Sequence, residues 1–140
     1  MRVAAVMLIV KNGLMLGVSR KENPSLFGLP GGKSEKFEIP METAVREIKE
    51  ETGITVHSCV PIFEQKEKAI YPGGEDFYTY AFYATNWEGF PRNSNEGVVE
   101  WLFKSELTKS PSQGGKGAFP EYNSRTLSAF NKLYPNIIIL

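Results

Sequence analysis

Cysteine and histidine are almost missing from this chain, with one of each, Cys59 and His57, in 140 residues. A single cysteine excludes an internal disulfide and any cysteine-rich zinc site. A lone histidine leaves no partner for a His-based catalytic pair, and both residues read as ordinary strand positions. Net charge is missing too: sixteen Lys and Arg balance sixteen Asp and Glu. No global field therefore gathers nucleic acid or an anionic membrane, and a phosphate-bearing ligand needs a local site or a metal ion. No long hydrophobic run occurs. The apolar stretch Val3 to Val10 is far too short to span a bilayer, and no cleavage-type signal follows it. A cytoplasmic location is expected, with no membrane partner and no strong nucleic-acid signal. Repeats, low-complexity blocks and Pro/Gly-rich linkers are absent as well, which predicts one domain over residues 1–140.

What is present alternates between strand and helix signals. Residues 2–10 are rich in Val and Ile and predict a buried strand. Lys11-Asn12-Gly13 predicts a turn into a partner strand over 14–19. Residues 20–34 carry Pro24, Gly28, Pro30, Gly31 and Gly32, a sharply bent loop that something can approach closely. A helix is predicted over 39–52, with Pro40 in its first turn and Gly53 as its C-terminal cap. Strands follow over 54–63 and 76–86, the second strongly aromatic, with a Tyr71-Pro72-Gly73-Gly74 turn between them. A strand over 97–103 and a helix over 121–134 complete the reading. The stretch 108–118 is expected to be a polar loop with no packing face. This order argues for a layered α/β domain.

The helix over 39–52 carries the chemistry. At about 100° per residue from Glu47, Glu51 falls near ~40° and Glu50 near ~−60°, while Met41, Ala44, Val45, Ile48 and Thr52 share the adjoining arc. A core-facing stripe thus lies beside an acidic one. Like charges one turn apart destabilise a helix, although Lys49 and Arg46 are placed to temper them on a plain solvated face. A hard divalent cation reverses that arithmetic, because Mg²⁺ takes oxygen ligands from a few carboxylates and from substrate phosphates. Helix geometry alone leaves both readings open.

The wider pattern is more specific. Gly32 is followed by Glu38 and then by Arg46-Glu47-Ile48-Lys49-Glu50-Glu51-Thr52-Gly53-Ile54. This is the Nudix box, G-x5-E-x7-R-E-U-x-E-E-x-G-U with U a bulky aliphatic residue, matched at every specified position across residues 32–54. With the preceding Leu29-Pro30-Gly31-Gly32-Lys33, the chain resembles the MutT/Nudix hydrolase superfamily. The resemblance implies an α/β/α sandwich around a mixed β-sheet, and hydrolysis of a phosphoanhydride bond in a nucleoside diphosphate linked to another group. It implies Mg²⁺ or Mn²⁺ held by Glu47, Glu50 and Glu51, with Glu47 also a candidate general base. Arg46 would orient the carboxylates, Gly31 would offer a carbonyl to the metal, and Gly32 and Glu38 would position the site. A further carboxylate ligand is expected before Trp101: Glu96 is preferred, since Glu100 adjoins the tryptophan and points to the opposite face of a strand.

The leaving group is not specified by the box. Phe119-Pro120-Glu121-Tyr122-Asn123 resembles the base-binding segment of the mutator branch, whose Asn holds a purine edge, and Arg20 resembles a nucleotide contact there. With the aromatics from Phe77 to Phe82, Tyr80 foremost, as candidate stacking residues, these favour a small-molecule nucleotide substrate of the 8-oxo-dGTP type, split into nucleoside monophosphate and pyrophosphate. Asn123 suits a helix N-cap equally well. Tyr71 hints instead at a dinucleoside polyphosphate, and an RNA 5′ end is a further candidate, weakened by the neutral charge. A non-catalytic Nudix-fold regulator is expected to carry a broken box, and this one is intact. The C-terminal Ile137 to Leu140 fits a strand, a core plug or a homodimer contact.

Overall fold

A computed structural model describes residues 2–69 and 72–140. The chain opens with β1 (Arg2–Leu8), β2 (Val10–Lys11) and β3 (Leu14–Ser19), followed by the short β4 (Phe27–Gly28) and β5 (Gly31–Lys33). Helix α1 (Pro40–Thr52) comes next, then β6 (Thr55–Glu67), β7 (Phe77–Glu88) and β8 (Val99–Leu102). Helix α2 (Lys104–Thr108), a 3₁₀ turn (Pro111–Gln113) and α3 (Pro120–Leu133) complete the described order.

One four-stranded sheet runs β5-β1-β7-β6. Its central pair is parallel, with Val3 opposite Tyr78 and Ala5 opposite Tyr80, and both flanking pairs are antiparallel. The second sheet centres on β3, which pairs with β2, β4 and β8. Side chains alternate across each strand, so the mixed sheet feeds two cores. Ala5, Met7, Tyr80, Phe82 and Ala84 meet Ala44 and Ile48 of α1 on one face. Leu8, Ala81, Tyr83 and Ile62 meet Leu127 and Phe130 of α3 on the other. Helices therefore cover both faces of the mixed sheet, which is the expected α/β/α sandwich. Among the described residues no helix is long and apolar enough to cross a membrane.

Several boundaries differ from the sequence reading for identifiable reasons. The strand expected over 54–63 runs on to Glu67 and its partner reaches Glu88, because β6 lies at the sheet edge and tolerates the solvated run Glu64 to Glu67. The loop 20–34 contains β4 and β5, whose glycines conceal a strand signal. The stretch 108–118 is not a free polar loop. Its backbone is tied down by Lys116 N–H to Glu106 O (2.8 Å), Gly117 N–H to Lys109 O (2.9 Å) and Ala118 N–H to Phe27 O (2.9 Å). The C-terminal Ile137 and Ile139 pack on the α3-side core, and the Leu140 N–H donates to Gly13 O at 2.8 Å, so the tail plugs this molecule's own surface.

Candidate active site

Helix α1 begins as the sequence suggests, with Pro40 in its first turn and the Ile39 N–H held by the Glu42 carboxylate at 3.0 Å. It ends at Gly53, whose φ of 83° lets its N–H close on Lys49 O at 2.9 Å. Between these caps, burial of Ala44, Ile48 and Thr52 turns the acidic stripe toward β5. Met41 was expected on the core stripe, but it is exposed, and burial of the stripe begins at Thr43 and Ala44.

The glycines of β5 allow the contact. A Cβ on Gly32 would sit 2.6 Å from the Glu47 carboxyl carbon, and one on Gly31 would sit 2.2 Å from Ala5 O. Only a bare backbone fits between β1 and the carboxylates of α1. The Gly31 N–H donates to Glu51 Oε1 at 2.7 Å.

Arg46 is the hub of the cluster. Its Nε donates to Glu38 Oε2 at 2.7 Å and its Nη2 to Glu38 Oε1 at 3.0 Å, a two-point pairing. Its Nη1 reaches Glu47 Oε1 at 2.9 Å and Glu50 Oε2 at 3.2 Å, and its Nη2 reaches Lys33 O at 3.2 Å. Spacing alone would equally have allowed Arg46 to pair with Glu42 one turn earlier, but the Glu42 carboxylate caps the Ile39 N–H instead. Glu38 faces this hub from the segment before the helix. Its acceptors serve Arg46, the Thr43 hydroxyl (2.8 Å) and the Glu35 N–H (2.9 Å), rather than the free N–H groups of the helix. The Arg46 hydrogen bonds, foremost, hold the Glu38 carboxyl down at about 2. The same pairing raises Arg46 further above its ordinary value.

Glu47 and Glu51 move the other way. Burial raises Glu47, with Arg46 offsetting part of the rise. Glu51 is pushed up to about 8, first by burial and then by the charges of Glu47 and Glu96, against the Gly31 N–H and Arg20. Glu96, carried on the segment before β8, therefore lies near this pair, and its own partner is Lys21 Nζ at 3.2 Å. Glu100 lies elsewhere, 3.4 Å from Lys116 Nζ.

A cleft of about 290 Å³ opens beside Glu51. It is lined by Arg20, Gly31, Gly32, Phe119 and Asn123 among the expected residues, by Phe77 from the aromatic run and Tyr122 from the segment around Asn123, and by Lys33 and Thr79, to which sequence reasoning gave no role. The Arg20 guanidinium lies 4.9 Å from the Phe119 ring centroid and is fixed by Glu22. Asn123 is inside α3 rather than at its N-cap, which is Phe119. Its side chain is buried, and Nδ2 donates to Leu107 O at 2.9 Å. Tyr80 requires correction: it packs on the α1-side core, across the sheet from this cleft, whose wall is built by Phe77 and Thr79. The two-residue alternation along β7 was legible; which of its faces meets α1 was not. Tyr71 lies outside the described residues.

Among the described residues no three carboxylates converge as a ready-made metal cage. The donor set still fits a hard divalent cation. It is all oxygen, and Glu51 and Glu47 share a partly buried site whose mutual repulsion a cation would relieve. Such ions are commonly held by one or two carboxylates with the remaining positions left to water and phosphate.

Fold and site set a carboxylate-bearing helix beside a cleft of about 290 Å³. The chain belongs to the NUDIX domain family, whose model matches residues 1–119. It is a Nudix hydrolase, an enzyme class that uses a divalent metal ion and acts on nucleotide-derived compounds. The chain is similar, at 31% identity over 104 residues, to the 8-oxo-dGTP diphosphatase of Escherichia coli (strain K12), covering 64% of this chain and 78% of that protein. It is 48% identical over 65 residues to the ADP-ribose pyrophosphatase of Methanocaldococcus jannaschii, a match over 44% of this chain but only 38% of that relative. The crystal structure of a MutT NUDIX hydrolase from Burkholderia pseudomallei superposes with a TM-score of 0.70 at 24% identity, covering 90% of this chain and 97% of that one. At that identity the likeness speaks to the fold.

Proposed function

We propose that this enzyme hydrolyses nucleoside triphosphates of the oxidised-purine type, 8-oxo-dGTP above all, to nucleoside monophosphate and pyrophosphate. The observation that carries this reading is the convergence of Arg20, Phe119 and Asn123 on one cleft that ends at Glu51. With Nδ2 committed to Leu107, the Asn123 Oδ1 is left as an acceptor. Guanine presents a bare acceptor at N7, whereas its 8-oxo form carries hydrogen there, so an acceptor in the site favours the oxidised base. Phe119 and the Arg20 guanidinium offer flat surfaces to the nucleoside.

Glu47, Glu50, Glu51 and Glu96, with a carbonyl from Gly31, would hold Mg²⁺ or Mn²⁺. When bound, the ion neutralises phosphate oxygens and lowers the pKa of water. Glu47, half-buried and raised by burial, is suited to take the proton as the water oxygen bonds to phosphorus and the bridging oxygen departs. Arg46 keeps Glu47 aimed, and Glu38, ionised at any working pH, keeps Arg46 in place. The Gly31 N–H fixes Glu51. A second reading, ADP-ribose hydrolysis, is favoured by the local identity to the archaeal pyrophosphatase. A Mg²⁺- and Mn²⁺-dependent screen over 8-oxo-dGTP, dGTP, dCTP, ADP-ribose and dinucleoside polyphosphates, with products identified, decides between them. A kcat/KM for ADP-ribose above that for every triphosphate would overturn the first reading.

A further inference from the structure

Thr43 puts a hydroxyl at a fully buried position of α1, next to Ala44. A valine of the same shape would fill that space without a polar group to satisfy, so the hydroxyl calls for partners. It finds them outside the helix: Oγ1 lies 2.8 Å from Glu38 Oε1 and 2.6 Å from Ser34 Oγ. Ile39 O, one turn back, is 3.3 Å away and has the weaker claim on the single hydroxyl hydrogen. The direction of each bond follows. Glu38 receives Arg46 on both carboxylate oxygens and is an acceptor only, so Thr43 donates to it. The Ser34 hydroxyl must then donate to Thr43. Ser34 is itself pinned to β1, its N–H donating to Val3 O at 2.9 Å. A one-way chain of donors thus runs from the sheet through Ser34 and Thr43 to the carboxylate that holds Arg46.

We infer that Thr43 and Ser34 are positioning residues for the hydrolysis, whose hydroxyls lock Glu38 against the sheet and through it set Arg46 against Glu47. The turn that carries Glu38 cannot do this unaided. Glu35, Lys36 and Phe37 are exposed, and Phe37 sits in left-handed backbone at a φ of 68°. The other uncharged contacts of Glu38 stay within that turn: its N–H on Glu35 O at 3.0 Å, and the Glu35 N–H on its Oε1 at 2.9 Å. Turn, carboxylate and guanidinium could swing together without breaking either. The Arg46 Nη2 contact to Lys33 O, at 3.2 Å, holds one nitrogen and leaves the ion pair free to pivot about it. Thr43 ties the carboxylate itself to the buried layer. Glu47 Oε1 takes its hydrogen bond from Arg46 Nη1 at 2.9 Å, so it follows wherever the pair moves. Misplacing a reacting group by a fraction of an ångström costs rate. Neither hydroxyl lines the cleft, so substrate affinity is spared.

The test compares Thr43→Val, which keeps the shape and removes the hydroxyl, with Thr43→Ser, which keeps the hydroxyl. With Mg²⁺, on 8-oxo-dGTP and on ADP-ribose, kcat should fall about five- to twentyfold in Thr43→Val with KM within about twofold, and Thr43→Ser should restore it to within about twofold of wild type. Ser34→Ala should cause a smaller loss. The double variant Ser34→Ala/Thr43→Val should lose no more than Thr43→Val alone, because Ser34 acts only through Thr43. A second readout needs neither substrate nor metal: in the metal-free protein the Arg46 Nε–H, followed by NMR, should exchange with solvent about fivefold faster or more in Thr43→Val and at the wild-type rate in Thr43→Ser. Unchanged Arg46 exchange in Thr43→Val overturns the inference whatever the substrate proves to be, and a lower melting temperature beside it makes Thr43 a packing residue. A raised KM at unchanged kcat overturns it too, as does a kcat loss that Thr43→Ser fails to restore. Losses that multiply in the double variant overturn the link through Ser34.

Discussion

Glu51→Gln in the metal-free protein separates the electrostatic cost of the site from its catalytic use. The Glu51 carboxyl is pushed from its ordinary 4.5 to about 8, chiefly by burial. Between those values the folded state holds a proton that the unfolded chain has released, so this group's contribution to stability falls as pH rises from about 4.5 to about 8. With those two pKa values, ionising Glu51 costs the fold roughly 3 kcal/mol more at pH 8 than at pH 5. Glutamine removes the charge and keeps an oxygen for the Gly31 N–H, which now sits 2.7 Å from Oε1. Denaturant unfolding in excess EDTA, repeated from pH 4.5 to pH 8.5, should give nearly equal stabilities for variant and wild type at the acid end. At pH 8 the variant should be more stable by about 2–4 kcal/mol. The order should reverse in function: Mg²⁺ or Mn²⁺ stabilises the wild type more than the variant at pH 8, and turnover falls in the variant. Parallel stability curves across this pH range, or a variant less stable at pH 8, would refute the picture of a buried, like-charged carboxylate awaiting a cation.

Glu47→Gln should lower kcat by about a hundredfold or more while metal still stabilises the fold, as judged by melting with and without Mg²⁺; near wild-type turnover would move the base elsewhere, to Glu96 first. Asn123→Ala should weaken 8-oxo-dGTP more than dCTP, by about 1–3 kcal/mol in kcat/KM, and should lower unfolding stability by a similar amount because Leu107 O loses its donor. Equal losses on both substrates would leave Asn123 with only its structural bond. Phe37 is exposed and held at a φ of 68°, a left-handed conformation that side chains with a Cβ resist. Phe37→Gly should therefore raise unfolding stability by about 1 kcal/mol, measured by denaturant titration.

The residues 32–54 were legible because one helix and one bend hold most of their geometry. Helical periodicity sets Glu47, Glu50 and Glu51 on one stripe beside Ala44 and Ile48 wherever the helix lies, and Gly53 closes it through its own backbone freedom. The strand alternation along 77–83 was equally local, and so was the hydrophobic pattern that demands helices on a sheet. None of these says what a face meets. The parallel pairing of β1 with β7 turned Tyr80 toward α1 and Thr79 toward the cleft, a choice between two faces that pattern alone treats as equal. Long-range packing drew Arg46 away from Glu42, three positions into its own helix, and onto Glu38 outside it. It also buried Asn123 against Leu107 in a short helix the sequence did not announce, and folded the glycine-rich stretch 108–118 back onto Phe27 by main-chain bonds that carry no side-chain signature. The sequence by itself determined which carboxylates share one helix stripe and their order along it, since those follow from covalent spacing. Only the tertiary structure decided which carboxylates are buried enough to hold protons and which backbone groups and charges meet them, because desolvation and long-range hydrogen bonds depend on every element packed around them.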